Sequence, residues 1–185
     1  MFKPEYPIVT ERLNIRPFTA ADFDDVFVYL SDPNVVRYLY WDVRDADASR
    51  AFLQERAGAV ELAEEGQRLA LAMEWREVGR VVGEILLRWT SREHRQGEIG
   101  FVLNPEFHGK GLAREAAEAM LAIGFDGLGL HRIAGRCDPR NAASAGLLER
   151  LGMRREAHFV HDEIFKGEWG DVYIYAILED EWRAR

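Results

Sequence analysis

The amino-acid sequence predicts an α/β (α+β) single domain with a mixed, mostly antiparallel central sheet flanked by helices. Three observations carry this. Short runs alternate apolar and polar residues with the period of two expected of half-buried strands. Residues 97–138 read strand, helix, strand, the spacing of a βαβ unit whose strands run parallel with a right-handed crossover. The 185 residues contain no repeat, low-complexity tract or Pro/Ser-rich linker, which is the size and texture of one domain with a proper core.

The elements follow in the order β-α-α-β-β-β-α-β-α-β-β. Leu13 and Ile15 alternate with Asn14 and Arg16 as a short strand. Thr19 with Asp22 three residues on opens a helix in the manner of a capping box, and Phe23, Val26, Phe27 and Leu30 share its apolar face. After Asp32-Pro33-Asn34 and a ring-rich stretch, a second helix is expected over about 46–64, stopping at Gly66. Leu69, Leu71, Met73 and Trp75 mark a strand, 77–80 a turn, and 81–89 its hairpin partner. Strand 97–103 leads to helix 111–128, with Ala113, Ala116, Ala117, Met120, Leu121 and Gly124 on one face. Strand 132–138, helix 142–151 closed by Gly152, and strands 156–165 and 171–178 complete the chain.

Composition narrows the function classes. Hydrophobic residues at 48% and charged residues at 30% fit a globular protein rather than a disordered one. No apolar run is long enough to cross a bilayer, and the start lacks a signal-peptide core, so a cytoplasmic address without membrane partner is expected. A net charge of -8 with no basic stripe argues against nucleic acid. The lone Cys137 sits in a strand pattern and reads as a small core residue, and no metal-ligand pattern is apparent.

The chemistry concentrates in three phrases: 97–103 (Gly-Glu-Ile-Gly-Phe-Val-Leu), His108-Gly109-Lys110-Gly111-Leu112-Ala113, and Asn141-Ala142-Ala143-Ser144. A strand, a Gly-rich turn and the free amides of a helix start make a seat for a pyrophosphate, because N–H groups converge there and the helix dipole favours negative charge. Gly109 and Gly111 permit close approach and unusual torsions, and Lys110 and Arg114 offer counter-charge. A Walker-type ATP loop fits less well, because no Ser or Thr follows Lys110.

These phrases resemble the GNAT superfamily of acetyl-coenzyme A dependent N-acyltransferases, and within it the RimJ/RimL-like branch of ribosomal-protein N-terminal acetyltransferases. The resemblance also rests on Asn141-x-x-Ser144-x-x-Leu147-Leu148-Glu149-Arg150-Leu151-Gly152-Met153, on the opening Thr10-Glu11-Arg12-Leu13-x-Ile15-Arg16-Pro17, and on the tail from Lys166 to Trp182. It spans residues 8–182, taken as one N-acetyltransferase domain. It implies a GNAT-like fold whose parallel strands splay apart so that the pantetheine arm pairs with them as a surrogate strand. The chain departs from the family at His108, where the family has Gln or Arg, and at Leu148, where many members carry Tyr.

The resemblance implies acetyl-coenzyme A as cosubstrate, held by Phe101, Val102, Leu103, His108, Gly109, Lys110, Gly111, Leu112, Ala113, Arg114, Asn141 and Ser144. It implies direct attack of an amine on the thioester. Glu98, alternating with the apolar Ile99 and Phe101, is the expected general base, against an ordinary strand carboxylate as the plainer alternative. Backbone N–H of Val102 or its neighbours is expected at the developing oxyanion, and Ser144 is the nearest hydroxyl for proton donation. His158 and His161 are lesser candidates for the base. Tyr38, Tyr40 and Trp41, with Phe165 and Trp169, are placed to wall an amine pocket, where Tyr38, Trp41 and Glu98 would touch the acceptor. That acceptor is a protein N-terminus or a small-molecule amine, with a homodimer left open. A coenzyme-binding sensor without turnover is the alternative from another class.

Overall fold

The computed structural model describes residues 1–185. Its framework is an eight-stranded sheet in the order β1-β2-β3-β4-β5-β6-β8-β7. The strands are β1 (Ile8–Val9), β2 (Leu13–Arg16), β3 (Arg68–Trp75), β4 (Arg80–Ser91), β5 (Gln96–Leu103), β6 (Arg132–Cys137), β7 (Arg154–Phe165) and β8 (Glu168–Leu178). Every pairing is antiparallel except β5 with β6. That parallel ladder runs only from Gln96↔Arg132 to Ile99↔Gly135, and beyond it the two strands part. The tip of β5 stays registered on β4 (Gly83↔Leu103), and the tip of β6 stays on β8 (Cys137↔Tyr173).

The alternation of side chains sends Leu13, Ile15, Leu71, Ile85, Ile99 and Ile133 to one face, where they join the larger core beneath α4 (Leu112–Ala122) and α5 (Ala142–Arg150). The opposite face carries a smaller cluster around Tyr29, Phe52, Ala72 and Val102, covered by α1 (Phe23–Leu30) and α3 (Ala46–Ala57). The short α2 (Pro33–Val36) follows α1, and α6 (Glu179–Arg183) closes the chain. At Gly83 a Cβ would fall 2.2 Å from the Val102 carbonyl oxygen, so only glycine lets β4 lie this close to β5.

Four local expectations change. Thr19 and Asp22 open a 3-10 turn (Ala20–Asp22) before α1, with the Thr19 N–H donating to Asp22 Oδ2 at 2.7 Å. The helix expected over 46–64 ends at Ala57, capped at Gly58. Leu62 instead exchanges backbone hydrogen bonds with Phe2, and the Val60 carbonyl accepts from the Tyr6 hydroxyl at 2.8 Å, so a distant segment takes up backbone that a helix would have used. The helix expected over 111–128 leaves the α form at Ala122 and finishes in a π turn, Ile123–Gly127. β7 and β8 begin earlier than expected, at Arg154 and Glu168, and their ladder shifts register twice.

Candidate functional site

The parting of β5 and β6 opens a cavity of about 830 Å³. Its floor is Phe101, Val102 and Leu103, one wall is the turn at His108–Arg114, the other is α5, and its far end is closed by Val35, Tyr38 and Leu39. Every residue expected to hold the coenzyme lines it except Lys110. Of the expected acceptor residues, Tyr38 lines it and Trp41 and Glu98 do not.

The turn is built as its sequence requires. Gly109 and Gly111 have φ of +75° and +78°, torsions that glycine alone adopts without strain. Gly111 is the N-cap of α4, and the amides of the first helical turn have no intrahelical acceptor. Asn141 caps α5, its Oδ1 accepting from the Ser144 N–H at 3.1 Å, and both residues line the cavity. The residues thus fit a diphosphate-bearing coenzyme: amides at one end, and a strand edge leading inward.

Ladder alternation decides which edge groups are free. Asn104 N–H donates to the Val82 carbonyl, so Asn104 and, two residues back, Val102 turn their backbone groups toward β4. Phe101 and Leu103 therefore present theirs to the gap, which moves the expected amide role from Val102 to these neighbours. His108 Nε2 lies 3.2 Å from the Leu103 carbonyl, and a neutral ring donating there keeps no N–H for a phosphate.

Glu98 sits on the Val102 face of β5, beside Arg88 of β4 in register. Burial pushes its carboxyl above the ordinary carboxylate range, against the pull of Arg136 and Arg88, the direction a proton acceptor requires. Cys137 is buried, and burial pushes its thiol up to about 11 despite a hydrogen bond from Ser144, so it is a core residue and a poor nucleophile at neutral pH. Leu148 packs against Gly135 at the last paired rung of β5 and β6, where a Cβ would fall 2.6 Å from its Cδ2, and it does not line the cavity.

The ring-rich segment 36–42 is tied to the β7–β8 hairpin. Lys166 Nζ donates to the carbonyls of Val36 and Trp41 at 3.0 Å each and to Asp42 Oδ1 at 3.1 Å. Tyr40 meets Phe165 edge-on and donates to Glu163 Oε1 at 2.7 Å. Trp41 packs against Phe52 in the smaller cluster, and Trp169 is exposed with His161 stacked on it. His158 pairs with Asp171 at 2.8 Å on an exposed part of β7, and neither histidine lines the cavity. Sequence reasoning missed Asn34, Val35, Leu39, Ala143, Leu147 and Arg150 as lining residues, and Pro105 in the turn after β5 as well. Ala143, Leu147 and Arg150 share a helical face and were findable; Asn34, Val35 and Leu39 needed the tertiary placement of the segment after Asp32.

A sheet that forks beside a glycine turn and a helix start defines the acyl-coenzyme A dependent transferase class. The model of the acetyltransferase (GNAT) domain matches residues 12–154, and the chain belongs to that family of N-acetyltransferases, which use acetyl-coenzyme A. It is 37% identical over 175 residues to the uncharacterized N-acetyltransferase YnaD of Bacillus subtilis, covering 95% of this chain and 98% of that one. The crystal structure of a GNAT-family acetyltransferase from Bacillus anthracis superposes with a TM-score of 0.83 at 36% identity, over 98% of this chain and 100% of that one. Spermidine N-acetyltransferase from Vibrio cholerae, solved with CoA and spermine, shares the fold at 21% identity, with a TM-score of 0.77 over 94% of this chain and 99% of that one.

Proposed function

We propose that residues 8–182 form one RimJ/RimL-like catalytic domain that transfers an acetyl group from acetyl-coenzyme A to a primary amine, a protein N-terminus or a small molecule. The observation that carries it is the fork between β5 and β6, opening beside the glycine turn and the capped start of α5 in one cavity. The amides of Gly109 to Ala113 hold the diphosphate, with Arg114 and Lys110 near as counter-charge, and His108 contributes to the wall of the turn rather than a hydrogen bond. The edge groups of Phe101 and the Leu103 N–H pair with the amide-bearing arm, and Asn141 and Ser144 line the cavity from α5.

The bound thioester supplies an activated acyl group and a thiolate leaving group. An alkylammonium with a pKa of about 10 must first lose a proton, and Glu98, its carboxyl raised by burial and set back from the cavity lining, accepts it through water. The Phe101 or Leu103 amide polarises the carbonyl, and as the C–N bond forms and the C–S bond breaks, Ser144 relays the proton shed by the attacking nitrogen to the departing thiolate. Tyr38 closes the acceptor end, its hydroxyl donating to the Arg140 carbonyl at 3.3 Å; Trp41 acts from behind by fixing that segment on Phe52. The cationic acceptor enters from the acidic surface of a chain of net charge -8, in the cytoplasm.

Acceptor-dependent thiol release across a panel of amines and peptides tests this reading. Glu98→Gln should lower turnover at least tenfold and remove the acidic limb of the rate profile, with coenzyme affinity unchanged. Unaltered rates at all pH values would remove Glu98 as base. The engaged His108 ring and Leu148 favour one second reading, a coenzyme-binding sensor. Tight coenzyme binding with no release for any amine would favour it.

A further inference from the structure

The opening phrase Thr10-Glu11-Arg12-Leu13 lies far in sequence from the glycine turn, yet it reaches under it. Arg12 Nη1 donates to the Lys110 carbonyl at 2.7 Å, and its Nε donates to Glu115 Oε2 at 2.7 Å. The Arg12 backbone N–H and the Thr10 hydroxyl both donate to Glu115 Oε1, at 2.6 and 2.5 Å. A Cβ at Gly111 would meet Arg12 Nη2 at 3.4 Å, so the guanidinium lies against the turn itself. The phrase is anchored in its own right, because Arg76 from the β3–β4 turn donates to the Thr10 carbonyl at 2.8 Å and its N–H to the Arg12 carbonyl at 3.0 Å.

The geometry has a directional consequence. In a trans peptide the C=O of one residue and the N–H of the next point in opposite directions. Holding the Lys110 carbonyl outward on Arg12 therefore turns the Gly111 N–H inward, and Gly111 lines the cavity while Lys110 does not. The same guanidinium neutralises Glu115, an acidic residue in the first turn of α4, where an unpaired carboxylate would repel an anion.

We propose that Arg12 is a positioning residue for diphosphate recognition, bracing the Lys110–Gly111 peptide and neutralising Glu115 so that the amides of the turn are aimed before the coenzyme arrives. This rests on the function proposed above and deepens it. Lysine should substitute poorly, because Nε and Nη1 reach the two acceptors from separate points of a rigid plane, whereas the three N–H groups of an ammonium all radiate from one atom at the end of a flexible stem.

The test compares wild type, Arg12→Met and Arg12→Lys by calorimetry with coenzyme A and with S-acetylpantetheine, which lacks the diphosphate, and by hydrogen exchange of the amides at 109–114 against those of β3. Both variants should bind coenzyme A about tenfold more weakly. S-acetylpantetheine binding should match wild type, and exchange should quicken at 109–114 alone. Coenzyme A affinity unchanged in Arg12→Met would overturn the brace. So would full recovery in Arg12→Lys, which would reduce Arg12 to a point charge, or a parallel loss for both ligands with faster exchange in β3, which would make it a general stabiliser. Wild-type protein that takes up no coenzyme A would instead sink the proposed function, and the exchange at 109–114 would still decide whether Arg12 orders the turn.

Discussion

Replacing Arg56 by Met should destabilise the protein strongly and in a pH-dependent way. Arg56 of α3 and Glu84 of β4 are 5% and 1% exposed, with Nε and Oε1 2.5 Å apart beneath the helices. Methionine keeps the apolar stem against Phe52 and removes the only basic group paired with Glu84. Breaking such a buried pair from one side costs about 3–5 kcal/mol. Glu84 can escape by protonation, and at pH 7 that route costs roughly 1.36 kcal/mol for each of the ~2.7 units above an ordinary Glu, about 3.7 kcal/mol in all. The two figures agree, so the expected loss at pH 7 is about 3–4 kcal/mol. Burial already raises the Glu84 carboxyl against the pull of Arg56, and losing Arg56 raises it further, so the stability carried by the neutral form is present at low pH and is lost as pH rises. At about 1.36 kcal/mol per pH unit, the deficit against wild type should therefore shrink by up to about 2.7 kcal/mol between pH 7 and pH 5. Urea unfolding at both pH values measures this, with Arg56→Met/Glu84→Leu expected near wild type. A single variant within about 1 kcal/mol of wild type at pH 7, or an equal deficit at pH 5, would refute the reasoning.

Asn141→Ala removes the acceptor for the Ser144 N–H and should cost about 1 kcal/mol in unfolding free energy, read from a shifted urea midpoint, while weakening coenzyme A binding in calorimetry. Asp22, Glu115 and Asp138 each feel burial pushing their carboxyls up, but hydrogen bonds from Arg16, from Thr10 and Arg12, and from Arg140 outweigh it and hold them below the ordinary range. A depressed carboxyl stabilises the fold above its unfolded pKa, so wild-type stability should decline as pH falls below about 4. Thermal unfolding should show Glu115→Gln losing less than wild type over that acid range.

The strands were legible because Leu69, Leu71, Ile85, Leu87, Ile99 and Ile133 alternate cleanly and one face of the sheet buries them all. The glycine turn and Asn141 were legible because backbone torsion and helix capping are local requirements that few residue types meet. What failed was non-local. Val60 and Leu62, two residues apart, are spaced as in extended chain, and Phe2 and Tyr6 across from them supply the partners that hold the stretch in that form. Ile8–Val9, a two-residue strand, exists only because β2 offers it an edge. The same limit applied at the site. Periodicity gave Glu98 its face, but whether Phe101 or Val102 offers its amide depends on pairing with β4, and the contact of Arg12 with Lys110 spans 98 residues.

The four-rung pairing of β5 with β6 gives the molecule a fork whose two tines are clamped from outside, one by β4 and the other by β8. Spreading or narrowing the tines would mean tearing an antiparallel ladder on one flank. A guest must therefore match a slot of set width. Tolerance for longer or bulkier acyl groups would have to come from trimming side chains that line the slot, such as Leu147, and not from movement of the strands.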